Sequence, residues 1–179
     1  MICQLKLLQW KSLYRNRFVC GKKIDFGKSF SVHLDASGSV IQLGDDIVFR
    51  DFCQVRSGNG GKVTLGKRNF FNNHCSINCL HEIIIGDDCQ FGEGVKFYDH
   101  NHEYRDKDSK ISEQGYTTGS IRIGNNCWLG TNVVVLRNVE IGDNVIIGAG
   151  CVIHQSVPSG SIIINQQNLI TKQSHFNGK

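Results

Sequence analysis

Residues 123–158 read IGNNCW LGTNVV VLRNVE IGDNVI IGAGCV IHQSVP. An aliphatic residue recurs at every sixth place: Ile123, Leu129, Val135, Ile141, Ile147 and Ile153. Four places after each stands a small or β-branched residue: Cys127, Val133, Val139, Val145, Cys151 and Val157. Polar pairs such as Asn125-Asn126 and Asp143-Asn144 lie between them. A period of six is neither the about 3.6 of an α-helix nor the about 2 of a strand face. It marks a parallel β-helix, in which each hexapeptide supplies one short strand and one corner. About eighteen residues then close one triangular coil.

The same phase runs back toward the N-terminus. Leu43, Phe49 and Val55 make one coil, Leu65, Phe71 and Ile77 a second, and Ile85, Phe91 and Phe97 a third. Two more follow from Ile123 and from Ile141. All fifteen first places are apolar in a chain that is 40% apolar overall, which chance does not give. The fifth place is Cys, Val or Ile except at Asn59, Asn69, His81 and Asn101. The expected fold is all-β: a solenoid of about five coils over 41–164, a cap over 1–40 and a tail over 165–179. In the cap, Leu7, Trp10 and Tyr14 would share one face of a short helix. Such a cover closes an open end whose edge strand would otherwise pair with another chain.

The period breaks at 61–64, at 83–84 and, at greatest length, at 103–122 (EYRDKDSKISEQGYTTGSIR). Insertions in a solenoid leave at corners and gather on one face, often the binding face. The pairs Asp45-Asp46, Asp87-Asp88, Asn125-Asn126 and Asp143-Asn144 fall at corners. Asn and Asp tolerate tight turns, so they read as turn residues rather than metal ligands.

At 179 residues the chain has the length of one domain. The net charge of +4 is mild and the basic residues are scattered, which gives no case for nucleic acid. No apolar run approaches the roughly 20 residues of a membrane span. The start, MICQLKLLQWKSLYRNRF, lacks the apolar core of a signal peptide, so a cytoplasmic location is expected. Of eight cysteines, Cys53, Cys75, Cys89, Cys127 and Cys151 fall at fifth places, where a small buried residue is wanted. No CxxC pair points to a thiolate zinc site.

Chemistry concentrates in Tyr98-Asp99-His100-Asn101-His102-Glu103, where the long insertion leaves the third of these coils. A neutral imidazole is a competent base near neutral pH. It can take a proton from a hydroxyl or amine as that group attacks a carbonyl. Asp99 or Glu103 could fix its tautomer. Trp128 follows a fifth-place Cys and should point outward, toward a ligand or a partner chain.

FYDHNHEYRD, QGYTTG with IRIGNNCWLGTNVVVL, and IGDNVIIGAGCVI with VPSGS together resemble the hexapeptide-repeat acyltransferases. The likeness is to the maltose/galactoside acetyltransferase-like branch, which includes bacterial surface-polysaccharide O-acetyltransferases. The resemblance implies a left-handed β-helix and a homotrimer with active sites between subunits. It implies direct acetyl transfer from acetyl-CoA to a saccharide acceptor, with no metal required. His100 matches the catalytic base, with His102 as its rival. Trp128 matches the aromatic residue of the cleft, beside Asp99 on the substrate side. Thr131 N–H matches the donor to the thioester oxygen, and Gly148, Ala149 and Gly150 match the strip along the CoA arm. Lys172 is the basic residue placed for the CoA phosphates. The implied reaction is O-acetylation of a sugar hydroxyl of a surface polysaccharide or its precursor. N-acetylation of an amino-sugar nucleotide, a non-enzymatic scaffold and a metal-dependent hydratase are the alternatives.

Overall fold

A computed structural model describes residues 2–35 and 38–167. After helix α1 (Ile2–Tyr14) the chain winds through six coils, each of three short strands. Coil 1 holds β1 (Phe18–Cys20), β2 (Asp25–Phe26) and β3 (Ser31–Leu34). Coil 2 holds β4 (Val40–Leu43), β5 (Val48–Phe49) and β6 (Gln54–Ser57). Coil 3 holds β7 (Lys62–Leu65), β8 (Phe70–Phe71) and β9 (Ser76–Cys79). Coil 4 holds β10 (Glu82–Ile85), β11 (Gln90–Phe91) and β12 (Lys96–Tyr98). The hairpin of β13 (His100–His102) and β14 (Tyr116–Thr118) interrupts the winding here. Coil 5 holds β15 (Ser120–Ile123), β16 (Trp128–Leu129) and β17 (Val134–Leu136). Coil 6 holds β18 (Val139–Ile141), β19 (Ile146–Ile147) and β20 (Val152–Ile153), and β21 (Ile162–Ile163) begins another turn.

Equivalent strands stack into three parallel sheets. Sheet A runs β1-β4-β7-β10-β15-β18, sheet B runs β2-β5-β8-β11-β16-β19-β21, and sheet C runs β3-β6-β9-β12-β17-β20. The fold is thus an all-β parallel solenoid, with one coil more than the five expected. That coil obeys the same rule. Cys20, Phe26 and Val32 are six apart and pair with Leu43, Phe49 and Val55, while Ile24 and Phe30 fill fifth places. The stretch assigned to a cap is therefore mostly solenoid, and the cap proper is α1. Trp10 meets Phe18, Phe26 and Phe30 at centroid distances of 6.0, 5.4 and 5.6 Å. Leu7 and Tyr14 pack on the same core, as the shared helix face predicts.

Inside, first and fifth places are buried. Phe30, Phe49, Phe71 and Phe91 stack face to face along the axis, with centroids 4.4, 4.7 and 4.5 Å apart. Asn69 also stays inside: it donates to Gly86 O (2.8 Å) and accepts from Cys89 N–H (2.8 Å), so a polar fifth place is satisfied between coils. The other polar fifth places, Asn59, His81 and Asn101, turn outward. At the corners between sheets A and B, Asp46, Asp88, Asn126 and Asn144 adopt positive φ of 57°, 62°, 53° and 57°. Their neighbours bridge coils: Asp143 Oδ1 accepts from Asn125 N–H (2.6 Å) and Asn125 Oδ1 from Asp87 N–H (2.8 Å). The polar pairs are turn chemistry. Gly86, in the same corner column, has no room for more: a methyl there would stand 2.7 Å from Gly124 O.

Candidate active site

Every break in the period leaves at one edge, where sheet C hands over to sheet A. Residues 35, 38–39, 58–61, 80–81 and 99–119 all lie there, stacked coil on coil. The longest carries the histidines.

Asp99, the first residue past β12, has a fully buried side chain. Its Oδ1 and Oδ2 accept from Leu80 N–H at 2.9 and 3.1 Å, and Oδ2 from His81 N–H at 2.8 Å. His100 Nδ1 lies 2.9 Å from Oδ1. Burial alone would raise the Asp99 carboxyl. The hydrogen bonds from His100 and from the Leu80 and His81 amides outweigh it and hold the group below its usual range. An ionised carboxylate only accepts, so Nδ1 carries a proton, and in the neutral ring the lone pair is then on Nε2. The chain thereby builds a base whose ring is fixed by a carboxylate, itself fixed by two amides of the coil below. The resemblance puts Asp99 on the substrate side; its carboxylate bonds the His100 ring, as an acid that fixes the tautomer would.

Because the carboxyl titrates below the unperturbed 3.8, its stabilisation is complete above that value and disappears as pH falls through the folded value. Asp99→Asn should remove this acid-sensitive part. It also turns an amide donor toward His81 N–H, a buried mismatch worth about 1–3 kcal/mol. Urea midpoints followed from about pH 7 to about pH 3 should start lower in the variant and change less with acid than in the parent. Equal acid slopes would contradict the assignment.

The long insertion begins and ends as an antiparallel pair, His100 opposite Thr118 and His102 opposite Tyr116. The Tyr116 ring lies 5.3 Å from that of His100 and 4.6 Å from that of His102. His102 is more exposed than His100, and no carboxylate of the described residues bonds its ring. Glu103 caps the hairpin turn. The Tyr104 and then the Arg105 amides lower its carboxyl, with help from the Arg105 and Arg137 charges. His100 opens onto a cleft of about 760 Å³ that follows the outer face of sheet C and includes Tyr98, Asn78, Arg56 and His33.

A second group gathers at another corner, between sheets B and C. Trp128 on β16 is 55% exposed, so it does point outward. Thr131 follows in the corner. Its carbonyl accepts from Gly150 N–H (2.8 Å), while its own N–H donates to no described residue. Gly148, Ala149 and Gly150 sit one coil on. Gly150 has φ of 72°, and a methyl there would meet only Asn165 Nδ2, at 3.4 Å. A free amide beside an open, side-chain-poor strip fits the thioester and arm of an acyl-CoA. Lys172 lies outside the described residues.

Within one chain the two groups stand at opposite ends of sheet C. One side of the coil, a hexapeptide spanning roughly 20 Å at about 3.3 Å per residue, separates them. Among the described residues no group of three His, Cys, Asp or Glu side chains is placed to hold a metal ion.

Residues 120–155 match the family described as bacterial transferase hexapeptide (six repeats). The chain is 25% identical over 172 residues to a probable acetyltransferase of Mycobacterium tuberculosis, covering 93% of this chain and 55% of that protein. It is 35% identical over 106 residues to nodulation protein L of Rhizobium meliloti, covering 59% and 56%. It thus spans about half the length of these curated relatives. Among solved structures, AntD, an N-acyltransferase from Bacillus cereus in complex with dTDP and 3-hydroxybutyryl-CoA, superposes with a TM-score of 0.69. It is 20% identical, with 87% of this chain and 82% of that chain covered. A maltose O-acetyltransferase from Clostridium difficile gives 0.57, at 22% identity and 87% and 69% coverage. At these identities the structures show a shared fold. Over residues 120–155 the repeat matches that of the bacterial hexapeptide transferases.

Proposed function

We propose that this chain is an acetyl-CoA-dependent acetyltransferase directed at a sugar hydroxyl of a surface polysaccharide or its precursor. The observation that carries the reading is the His100–Asp99 pair at the mouth of the cleft, with Nε2 free to accept a proton. His100 Nε2 takes the acceptor hydroxyl proton as the oxygen bonds to the thioester carbon. Thr131 N–H stabilises the oxyanion, an interaction worth about 3 kcal/mol. The carbon–sulfur bond then breaks, and the imidazolium returns the proton to the departing CoA sulfur. Atoms and charge balance without a covalent enzyme intermediate.

The two residue groups lie on different corners, so one protomer's His100 works with a neighbour's Trp128, Thr131 and Gly148–Gly150. A homotrimer supplies three such seams. The seven described cysteines are free thiols, which suits a reducing cytoplasm.

A thermal shift with acetyl-CoA tests the donor site. At about 100 Kd, ligand adds about 2.7 kcal/mol. For a chain of this size that raises Tm by roughly 5–11 °C. No shift at millimolar acetyl-CoA would sink the transferase reading. Alkali-labile product would then distinguish an ester from the stable amide of N-transfer.

A further inference from the structure

The cleft below His100 is built on a column of outward side chains. His33, Arg56, Asn78 and Tyr98 occupy the same register on β3, β6, β9 and β12. Neighbouring strands are about 4.8 Å apart, so Arg56 lies roughly 10 Å down the column from Tyr98. Arg56 is exposed within the cleft, and no hydrogen bond or ion pair to a described residue engages its guanidinium. The carboxylate that also lines the cleft, Asp35, is already committed. Its Oδ1 accepts from Ser39 Oγ (2.7 Å), its Oδ2 from Asn59 N–H (2.7 Å), and its carbonyl from Arg17. Asn78 is held by Gln54 (3.4 Å) and by Ser76 (3.3 Å). The cleft thus presents one unengaged, permanently charged cation, flanked by His33, at a fixed distance from the base.

We infer that Arg56 is the specificity determinant of the acceptor site, binding an anionic group, a carboxylate or a phosphate, on the saccharide whose hydroxyl reaches His100. The inference rests on the transferase reading for what happens at His100, but the anion subsite itself does not need turnover. A planar guanidinium holds either anion through paired N–H donors, and such charge-assisted bonds are the stronger kind. The roughly 10 Å between Arg56 and Tyr98, which stands two residues before the base, leaves room for a sugar ring and its anionic substituent. A neutral oligosaccharide would leave the guanidinium without a partner.

Two measurements test this. The first follows arginine Nε–H signals by NMR while glucose, glucuronate or glucose 1-phosphate is added to the whole protein. The expected result is one signal that moves with the anionic sugars, not with glucose, and that is missing from Arg56→Gln. The relative shifts from glucuronate and glucose 1-phosphate decide between carboxylate and phosphate. No such signal, or equal response to glucose, overturns the inference whether or not the protein transfers acetyl groups. The second measures acetyl transfer to neutral, uronic and phosphorylated sugars. Arg56→Gln should raise KM for an anionic acceptor about tenfold or more with little change in kcat, and Arg56→Lys should restore part of it. Equal use of neutral and anionic acceptors, or an unmoved KM, overturns it. Loss of transfer from every acceptor in the parent, with the NMR response intact, would count against the transferase reading alone.

Discussion

His100→Ala is expected to lower acetyl transfer by at least about 10²-fold while the protein still binds acetyl-CoA. The size follows from what is removed. In the proposed mechanism the ring is the general base, and its Nδ1 is tied to a carboxylate that is itself held by two amides. No other described imidazole has that support, so no neighbour substitutes for it. His100 is mostly covered, at 18% side-chain exposure, and its ring touches Tyr116. Its truncation should lower Tm by only a few degrees, a cost separable from the loss in rate. The acetyl-CoA thermal shift should persist, because the proposed donor strip lies at the other corner of the coil. His102→Ala is the contrasting variant. It loses packing on Tyr116 and should keep turnover within about threefold. A nearly active His100→Ala beside an inactive His102→Ala would transfer the role of base to His102.

The repeat was legible because a solenoid writes its core into a single period. First places, and fifth places wherever they are apolar, face inward coil after coil, so Leu43 and Ile153 obey one rule although 110 residues separate them. Coil 1 escaped for a definite reason. Cys20, Phe26 and Val32 keep the period, but eleven residues rather than six separate Val32 from Leu43. The phase therefore resets just where a reader counting backward would stop. The hairpin of β13 and β14 was also missed as structure. Three-residue strands carry too little alternation to read, and Asn101 stands where an inward residue was expected. At the candidate site, proximity in sequence was enough to single out Asp99 and His100. The amides of Leu80 and His81 were not legible, because they approach from the preceding coil. Nor was the column of His33, Arg56 and Asn78, which is a product of register between strands about twenty residues apart.

Phe71→Ala should produce the largest loss of stability and should divide the molecule. Phe71 is fully buried and stacks between Phe49 at 4.7 Å and Phe91 at 4.5 Å. Removing a core phenyl ring costs about 3–5 kcal/mol, since parallel strands fixed by hydrogen bonds above and below cannot close the gap. In a solenoid each coil contacts mainly its neighbours, so the damage is local in energy but global in connection. Coil 3 would be loosened from coils 2 and 4 alike, which uncouples the N-terminal coils from coils 4–6. Denaturation in urea should change from one transition to two, the first belonging to the N-terminal coils. Function should divide along the same line. Thr131 and Gly148–Gly150 lie on coils 5 and 6 and would keep acetyl-CoA binding through the first transition. Acceptor turnover should vanish with it, because Arg56 and Asn78 stand on coils 2 and 3. The Leu80 and His81 amides that seat Asp99 also lie just past coil 3. A single transition with donor binding and turnover lost together would mean that the coils are coupled more strongly than nearest-neighbour stacking provides. A loss of under about 1 kcal/mol would mean that the phenylalanine column is not what holds the two halves together.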